Sequence, residues 1–129
     1  MDSKKEKVNS GRDIRRAIGK RGEDIAASFL TRNGFTIMDR NWRCRYGEID
    51  IIAMRDDFVH IIEVKTRRIS QDGYPEESIT DAKLARIAHL AELYLNQKHR
   101  AVEYQIDAIL IDVLDIKKAT LRYIPNFGW

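Results

Sequence analysis

The sequence predicts an α/β fold in which a mixed β-sheet is flanked by helices. Two segments carry apolar residues at helical spacing, and five shorter runs are rich in β-forming residues, in the order α-β-β-β-α-β-β. The length of 129 residues suits one domain, which we place at residues 12–129. A hydrophobic content of 43% is enough to build a core, so disorder throughout the chain is excluded.

The first helix is predicted at about residues 12–33. Asn33 and Gly34 end it, because both residue types tolerate the left-handed conformation found after helices. A short strand is expected next, at residues 35–42. The apolar positions that define the helix are Ile18, Ile25, Ala26, Phe29 and Leu30.

A β-hairpin is predicted from the two β-rich runs at residues 48–54 and 58–65. The runs are separated by Asp56 and Asp57, a residue type common in tight turns. A turn centred on this pair would place Asp50 directly across from Glu63. The same register would place Glu48 across from Lys65.

The second half of the chain predicts a helix and two further strands. Ser78 and Asp81 have the spacing of a helix-capping pair, and the helix they open continues to about Lys98. Residues 104–113 form a strongly apolar strand and residues 120–124 a short one. The buried face of the helix would carry Leu84, Ile87, Ala88, Ala91, Tyr94 and Leu95.

Positive charge is concentrated near the beginning of the chain. Residues 1–21 contain eight Lys and Arg against three acids, whereas the whole chain has a net charge of only +3. Residues 1–11 show no apolar periodicity, so we expect a flexible basic tail there. This distribution favours a phosphate-bearing partner, but it is equally typical of an ordinary solvated surface.

Several other classes of protein are excluded. The sequence has a single cysteine, Cys44, and three histidines without ligand spacing, which excludes disulfide and zinc frameworks. No apolar run approaches the roughly 18 residues that cross a bilayer, so we expect a cytoplasmic protein with no membrane partner. A metal ion bound here would therefore be a hard one with oxygen ligands.

Acidic and basic side chains meet on one face of the predicted hairpin. Glu63 and Lys65 share a face because side chains alternate along a strand, and the register places Asp50 opposite Glu63. Carboxylates with Cβ atoms about 4.5–5.5 Å apart repel each other unless a cation lies between them. A solvated strand face can show the same pattern, but the surrounding apolar run favours a functional site. Asp107 is also embedded in an apolar strand and needs a partner.

The sequence resembles the YraN-type family of small bacterial proteins over roughly residues 18–124. That family is similar to archaeal Holliday-junction resolvases, within the restriction-endonuclease-like PD-(D/E)xK superfamily. The resemblance implies a restriction-endonuclease-like mixed sheet flanked by helices. The matching motifs are Gly22-Glu23-Asp24-x-Ala26, Asn41-Trp42-Arg43-Cys44-Arg45-x-Gly47-Glu48-Ile49-Asp50 and Glu63-Val64-Lys65-Thr66-Arg67.

The resemblance also implies the site of a Mg²⁺- or Mn²⁺-dependent endonuclease. Asp50 and Glu63 match the metal-binding acids, and Lys65 matches the catalytic lysine. Glu23 matches an additional catalytic acid on the first helix. From the residues alone, Glu23 is better interpreted as a helix acid that pairs with a neighbouring cation such as Lys20.

The substrate implied by the resemblance is branched or structured DNA. Resolvases of this kind act as two-fold dimers, so a homodimer is implied, although the sequence itself contains no interface pattern. Two alternatives stay open, namely a nucleic-acid-binding module without chemistry and a nuclease that acts on RNA. The cations expected to bind backbone phosphates without reading sequence are Arg43, Arg45, Arg67, Arg68, Lys4, Lys5 and Lys7.

Overall fold

The computed structural model describes residues 11–68, 80–100, 102–115 and 117–127. The α/β class and the predicted order of elements are confirmed in these residues. The predicted basic tail, with Lys4, Lys5 and Lys7, lies outside them apart from Gly11, with which the first helix begins. The elements are α1 (Gly11–Arg32), β1 (Thr36–Cys44), β2 (Gly47–Arg55), β3 (Phe58–Arg68), α2 (Asp81–Gln97), β4 (Tyr104–Val113) and β5 (Ala119–Ile124).

The strands form one mixed sheet in the order β1-β2-β3-β4-β5. Neighbouring strands are antiparallel except for β3 and β4, which are parallel. Parallel neighbours need a crossover connection, and α2 lies in the connection between these two strands. The architecture is therefore the mixed sheet with flanking helices that the sequence predicts.

Hydrophobic clusters cover both faces of the sheet. Side chains alternate along a strand, so successive residues of β3 belong to different clusters. Ile61 packs in the cluster that contains Leu90 of α2, whereas Ile62 packs in the cluster that contains Leu30 of α1. Leu90 is buried although the predicted apolar face of the helix omits it. In the described part of the chain, neither helix is long and apolar enough to cross a membrane.

The β2–β3 hairpin has the predicted turn, and its ladder follows the predicted register as far as the pair of Ile51 with Ile62. Asp56 and Asp57 have φ values of 54° and 62°, and a two-residue type I′ turn requires a positive φ at both positions. Arg55 pairs with Phe58 across this turn, and the ladder continues to the pair formed by Ile51 and Ile62. The turn therefore sets which residues of the two strands approach each other.

The start of α2 differs from the prediction. The helix begins at Asp81, and its N-cap is Thr80 rather than Ser78. The Thr80 hydroxyl accepts a hydrogen bond from the backbone N–H of Lys83 at 3.2 Å, which satisfies a donor of the first turn. Ser78 lies outside the described residues.

Asp107 has the partners that its apolar surroundings require. Its carboxylate lies 2.7 Å from Nδ1 of His60, and it accepts hydrogen bonds from the Tyr123 hydroxyl, the Gln105 amide and the backbone N–H of Asn126. Burial raises the pKa of Asp107, but these hydrogen bonds outweigh burial and hold it below its ordinary value. This fully buried acid therefore has a structural role in joining β3, β4 and β5.

Candidate metal centre

A cleft of about 280 Å³ opens between the β2–β3 hairpin and α2. Asp50, Glu63 and Lys65 line it from the sheet, and Lys83 and Arg86 line it from the helix. The three hairpin residues singled out in the sequence thus border one space. The remaining walls are formed by Tyr46, Gly47, Glu48, Ile87 and Leu90.

Asp50 lies where β2 and β3 stop pairing. The last pair of the ladder is Ile51 with Ile62, one residue before Asp50 would face Glu63. Beyond that pair, the backbone N–H of Val64 donates a hydrogen bond to Oδ2 of Asp50 at 2.8 Å. The Asp50 carboxylate thereby accepts a hydrogen bond from a backbone N–H that has no partner in the β2–β3 ladder. This hydrogen bond fixes the carboxylate beside β3.

Regular alternation along β2 would place Asp50 and Ile52 on one face and Ile49 on the other, and this expectation is wrong next to Asp50. Ile49 and Ile52 pack in the same cluster under α2, although a period of two would place them on opposite faces. In β1, Asn41 lies between the partners of Ile49 and Ile51 and has a left-handed φ of 54°. The departure from regular strand geometry therefore affects both β1 and β2 at the position of Asp50.

Burial raises the pKa of both carboxyl groups, and like charge raises that of Asp50 further. Burial is the main cause at Asp50, followed by the charge of Glu63, and the pKa rises to about 7 despite the hydrogen bond from Val64. Burial also raises the pKa of Glu63, while Lys65 and Lys83 oppose that rise. Because burial opposes ionisation of both acids and the charge of Glu63 opposes that of Asp50, a divalent cation between them would be stabilising.

The donor set fits Mg²⁺ or Mn²⁺ that retains part of its water shell. Asp50 and Glu63 offer hard carboxylate oxygens from adjacent strands. Among the described residues, no group of three His, Cys, Asp or Glu side chains is placed to hold a metal ion by itself. Mg²⁺ is usually bound by one or two carboxylates, with water and substrate phosphate completing the shell, so a pair of acids suffices.

Glu23 lies in a groove beside the cleft. Its Oε1 is 4.0 Å from Nη2 of Arg40, and its charge is one of those that raise the pKa of Asp50. Glu48 borders both the groove and the cleft, and it pairs with Nε of Arg43 at 3.0 Å. The β2–β3 ladder ends before Glu48, so the cross-strand pair of Glu48 with Lys65 is not part of the observed register.

The four predicted phosphate-binding arginines differ in exposure. The side chain of Arg43 is 73% exposed, and Arg45 and Arg68 are also exposed. The side chain of Arg67 is only 14% exposed, and its guanidinium pairs with Asp112 at 3.2 Å. Arg67 is therefore tied to β4, while the exposed arginines are accessible to a phosphate backbone.

Lys83 and Arg86 are cleft residues that the sequence reasoning missed. Their charges lower the pKa of Glu63 against the effect of burial. Lys83 lies four residues before the buried Ile87, so helical spacing places it on the side of α2 that faces the sheet. That spacing is the signal that could have identified Lys83, but only the fold shows that α2 covers the carboxylates.

We expect Asp50 to make the metal-free protein less stable as the pH rises. Its folded pKa of about 7 exceeds the unfolded value of 3.8, so the folded state binds more protons between these values. The contribution of Asp50 to the free energy of unfolding is therefore fully present below about pH 4 and is lost as the pH rises to about 7. In EDTA at pH 8, Asp50→Asn should unfold at a higher temperature than wild type, and near pH 4 the difference should vanish.

The matched control for this measurement is Asp57→Asn, which changes an exposed acid at a position where Asn tolerates the positive φ. It should leave the pH profile of the melting temperature unchanged. An Asp50→Asn profile parallel to that of wild type would contradict a raised pKa at Asp50.

The fold and the cleft define a class of protein: a small α/β domain that presents a carboxylate pair and several cations beside a β-hairpin. The chain belongs to the UPF0102 family. A model of the family described as "Uncharacterised protein family UPF0102" matches residues 22–111, which include the cleft residues from both the sheet and α2. The YraN-type resemblance is thereby confirmed.

Relatives from several bacteria are similar over most of their length. A UPF0102 protein of Renibacterium salmoninarum is 42% identical over 114 residues, which cover 86% of this chain and 95% of the relative. One of Rhodococcus opacus is 46% identical over 98 residues, covering 74% and 83%. One of Clostridium perfringens is 39% identical over 114 residues, covering 86% and 93%.

Proposed function

We propose that this protein is a Mg²⁺- or Mn²⁺-dependent endonuclease that acts on branched or structured DNA in the cytoplasm. The observation that carries the proposal is the cleft in which Asp50 and Glu63, both with raised pKa, lie beside Lys65. Hydrolysis of a phosphodiester needs a divalent ion, an activated water and compensation of negative charge. These three residues are chemically suited to those needs.

Each side chain of the cleft has a part in the proposed reaction. Asp50 and Glu63 would hold the metal ion, which when bound polarises the scissile phosphodiester. Lys65 orients the attacking water and offsets charge that develops on the phosphate. Lys83 and Arg86 are placed to hold phosphate oxygens from the α2 side.

The surface near the cleft supports a nucleic-acid substrate. Arg43 and Arg45 are exposed at the end of β1 and in the turn that follows it. Contacts from such cations to backbone phosphates position a substrate without reading its sequence. They suit a substrate recognised by its shape, and we propose that a two-fold dimer acts on a junction with two equivalent strands.

The proposal is tested by offering the purified protein linear, flapped and four-way DNA together with Mg²⁺, Mn²⁺ or EDTA. We expect cleavage of branched substrates with either ion, no cleavage in EDTA, and binding of Mn²⁺ by calorimetry. Asp50→Asn should lose that ion binding, and light scattering should show two chains on each junction.

Other outcomes would select an alternative. A protein that binds branched DNA tightly but cuts neither DNA nor RNA with either ion would be a binding module that does no chemistry. Cleavage confined to RNA of the same branched shapes would make it an RNA-directed nuclease.

A further inference from the structure

An aromatic surface borders the cleft at the turn between β1 and β2. Tyr46 lines the cleft, and it is 53% exposed, so one face of the ring is accessible to a ligand. The ring centre of His89, from α2, lies 5.6 Å from that of Tyr46 in an edge-to-face arrangement. Cζ of Arg45 lies 5.2 Å from the Tyr46 ring centre. We call Arg45, Tyr46 and His89 the aromatic rim.

The position of the rim is set by a close approach of backbone to helix. Gly47, which follows Tyr46, has a φ of +145°, a conformation that residues with a side chain rarely adopt. A Cβ at this position would lie 3.3 Å from Cδ1 of Leu90, tighter than ordinary van der Waals contact. Glycine therefore lets the turn pack on α2 beside His89, and the packing holds the rim at the mouth of the cleft.

We propose that the aromatic rim stacks on an unpaired nucleobase that flanks the phosphate bound in the cleft. This inference rests on the proposed function and narrows its substrate class. An exposed aromatic ring beside an arginine is the chemistry with which proteins bind single strands, since every base has a face that can stack. Bases inside a duplex are stacked on one another and present only their edges in the grooves.

The favoured substrate therefore carries at least one unpaired nucleotide next to the cleavage position, as a flap or an opened junction does. Tyr46 of the rim borders the same 280 Å³ cleft as Asp50 and Glu63, so one strand can contact both the rim and the acids. The same strand would also pass the cations of α2, because Lys83 and Arg86 line the cleft from the helix that carries His89.

The test uses the fluorescence of 2-aminopurine, which stacking quenches, placed at the unpaired position next to the branch of a flap. The full chain is titrated in EDTA, so that no cleavage can occur. Wild type should quench the probe. Tyr46→Ala should abolish the quenching and weaken flap affinity by about 5- to 150-fold, the range expected when one stacked base is lost.

Tyr46→Phe is the matched control, because it keeps the ring and removes only the hydroxyl, and it should behave as wild type. All three proteins should bind a fully paired duplex with equal affinity, and their melting temperatures should agree because Tyr46 is exposed. Unchanged flap binding by Tyr46→Ala, or an equal loss on flap and duplex, would overturn the stacking role.

The outcome is separable from that of the proposed function. Normal quenching without any cleavage in Mg²⁺ or Mn²⁺ would overturn the nuclease activity and retain the stacking surface. Cleavage of flaps by Tyr46→Ala at the wild-type rate and affinity would retain the nuclease and overturn the rim.

Discussion

Lys65→Ala should abolish metal-dependent cleavage of branched DNA while leaving DNA affinity largely intact. Lys65 is one of several cations near the cleft, so its loss removes about one phosphate contact and changes the salt slope of log K by about 0.9. Lys65 lines the same cleft as Glu63, and its charge lowers the pKa of that carboxyl group, so in the proposed reaction its ammonium would lie beside the attacking water. Loss of such charge stabilisation costs about 10²- to 10³-fold in rate. Cleavage assays and gel shifts on the same four-way substrate measure the two effects.

The matched control is Lys118→Ala, which removes an equal charge from an exposed position in the β4–β5 turn. It should cut like wild type. Asp50→Asn should fail in a different way from Lys65→Ala, because it loses metal affinity as well as turnover. Without metal it should bind DNA more tightly than wild type, since one source of repulsion between the cleft and phosphate is gone.

A Lys65→Ala protein that cuts at the wild-type rate would remove Lys65 from the chemistry. Parallel losses of binding and cleavage would make it a phosphate contact only. The comparison with Asp50→Asn therefore distinguishes a residue that acts on the water from one that holds the metal ion.

The sequence predicted the hairpin well because the information that defines it is local. Asp56 and Asp57 tolerate the positive φ that a type I′ turn needs, and a two-residue turn leaves one register for the strands that it joins. Side-chain alternation then places Glu63 and Lys65 on one face of β3, and both line the cleft. These residues could be found without any knowledge of the tertiary structure.

The remaining features of the site depend on contacts between distant segments. Alternation alone could not show that Asp50 would leave the ladder to accept a hydrogen bond from Val64. It also could not show that α2 would cover the carboxylates with Lys83 and Arg86, or that His89 would lie against Tyr46. Such placements follow from the packing of α2 across the β3–β4 crossover, which no local pattern encodes.

Gly22→Ala should destabilise the fold, although Ala normally favours a helix over Gly by about 1 kcal/mol. Gly22 lies on the buried side of α1, and a Cβ there would lie 2.9 Å from Cβ of Thr66 and still closer to its hydroxyl. Thr66 is a short, β-branched residue of β3, so it cannot swing away. Overpacking of this kind typically costs about 1–3 kcal/mol in free energy of unfolding, measurable by urea denaturation.

Gly19→Ala provides the control within the same helix. Among the described residues, and apart from its chain neighbours and the backbone of its own helix, no atom lies within 4 Å of a Cβ at Gly19. This variant should therefore gain up to about 1 kcal/mol from helix propensity alone. The two substitutions are chemically identical and should have opposite signs. Equal stabilities would show that α1 does not approach β3 as closely as the structure indicates.

Adding Thr66→Ala to Gly22→Ala should recover part of the lost stability, because it removes the hydroxyl and methyl group that the new Cβ would meet. Alone, Thr66→Ala should cost less than Gly22→Ala, since it leaves only a small void beside α1. The same contact sets the position of the neighbouring Glu23, whose charge reaches Asp50. An α1 displaced by the Gly22→Ala methyl group should therefore lower the pKa of Asp50, and the double variant should restore it.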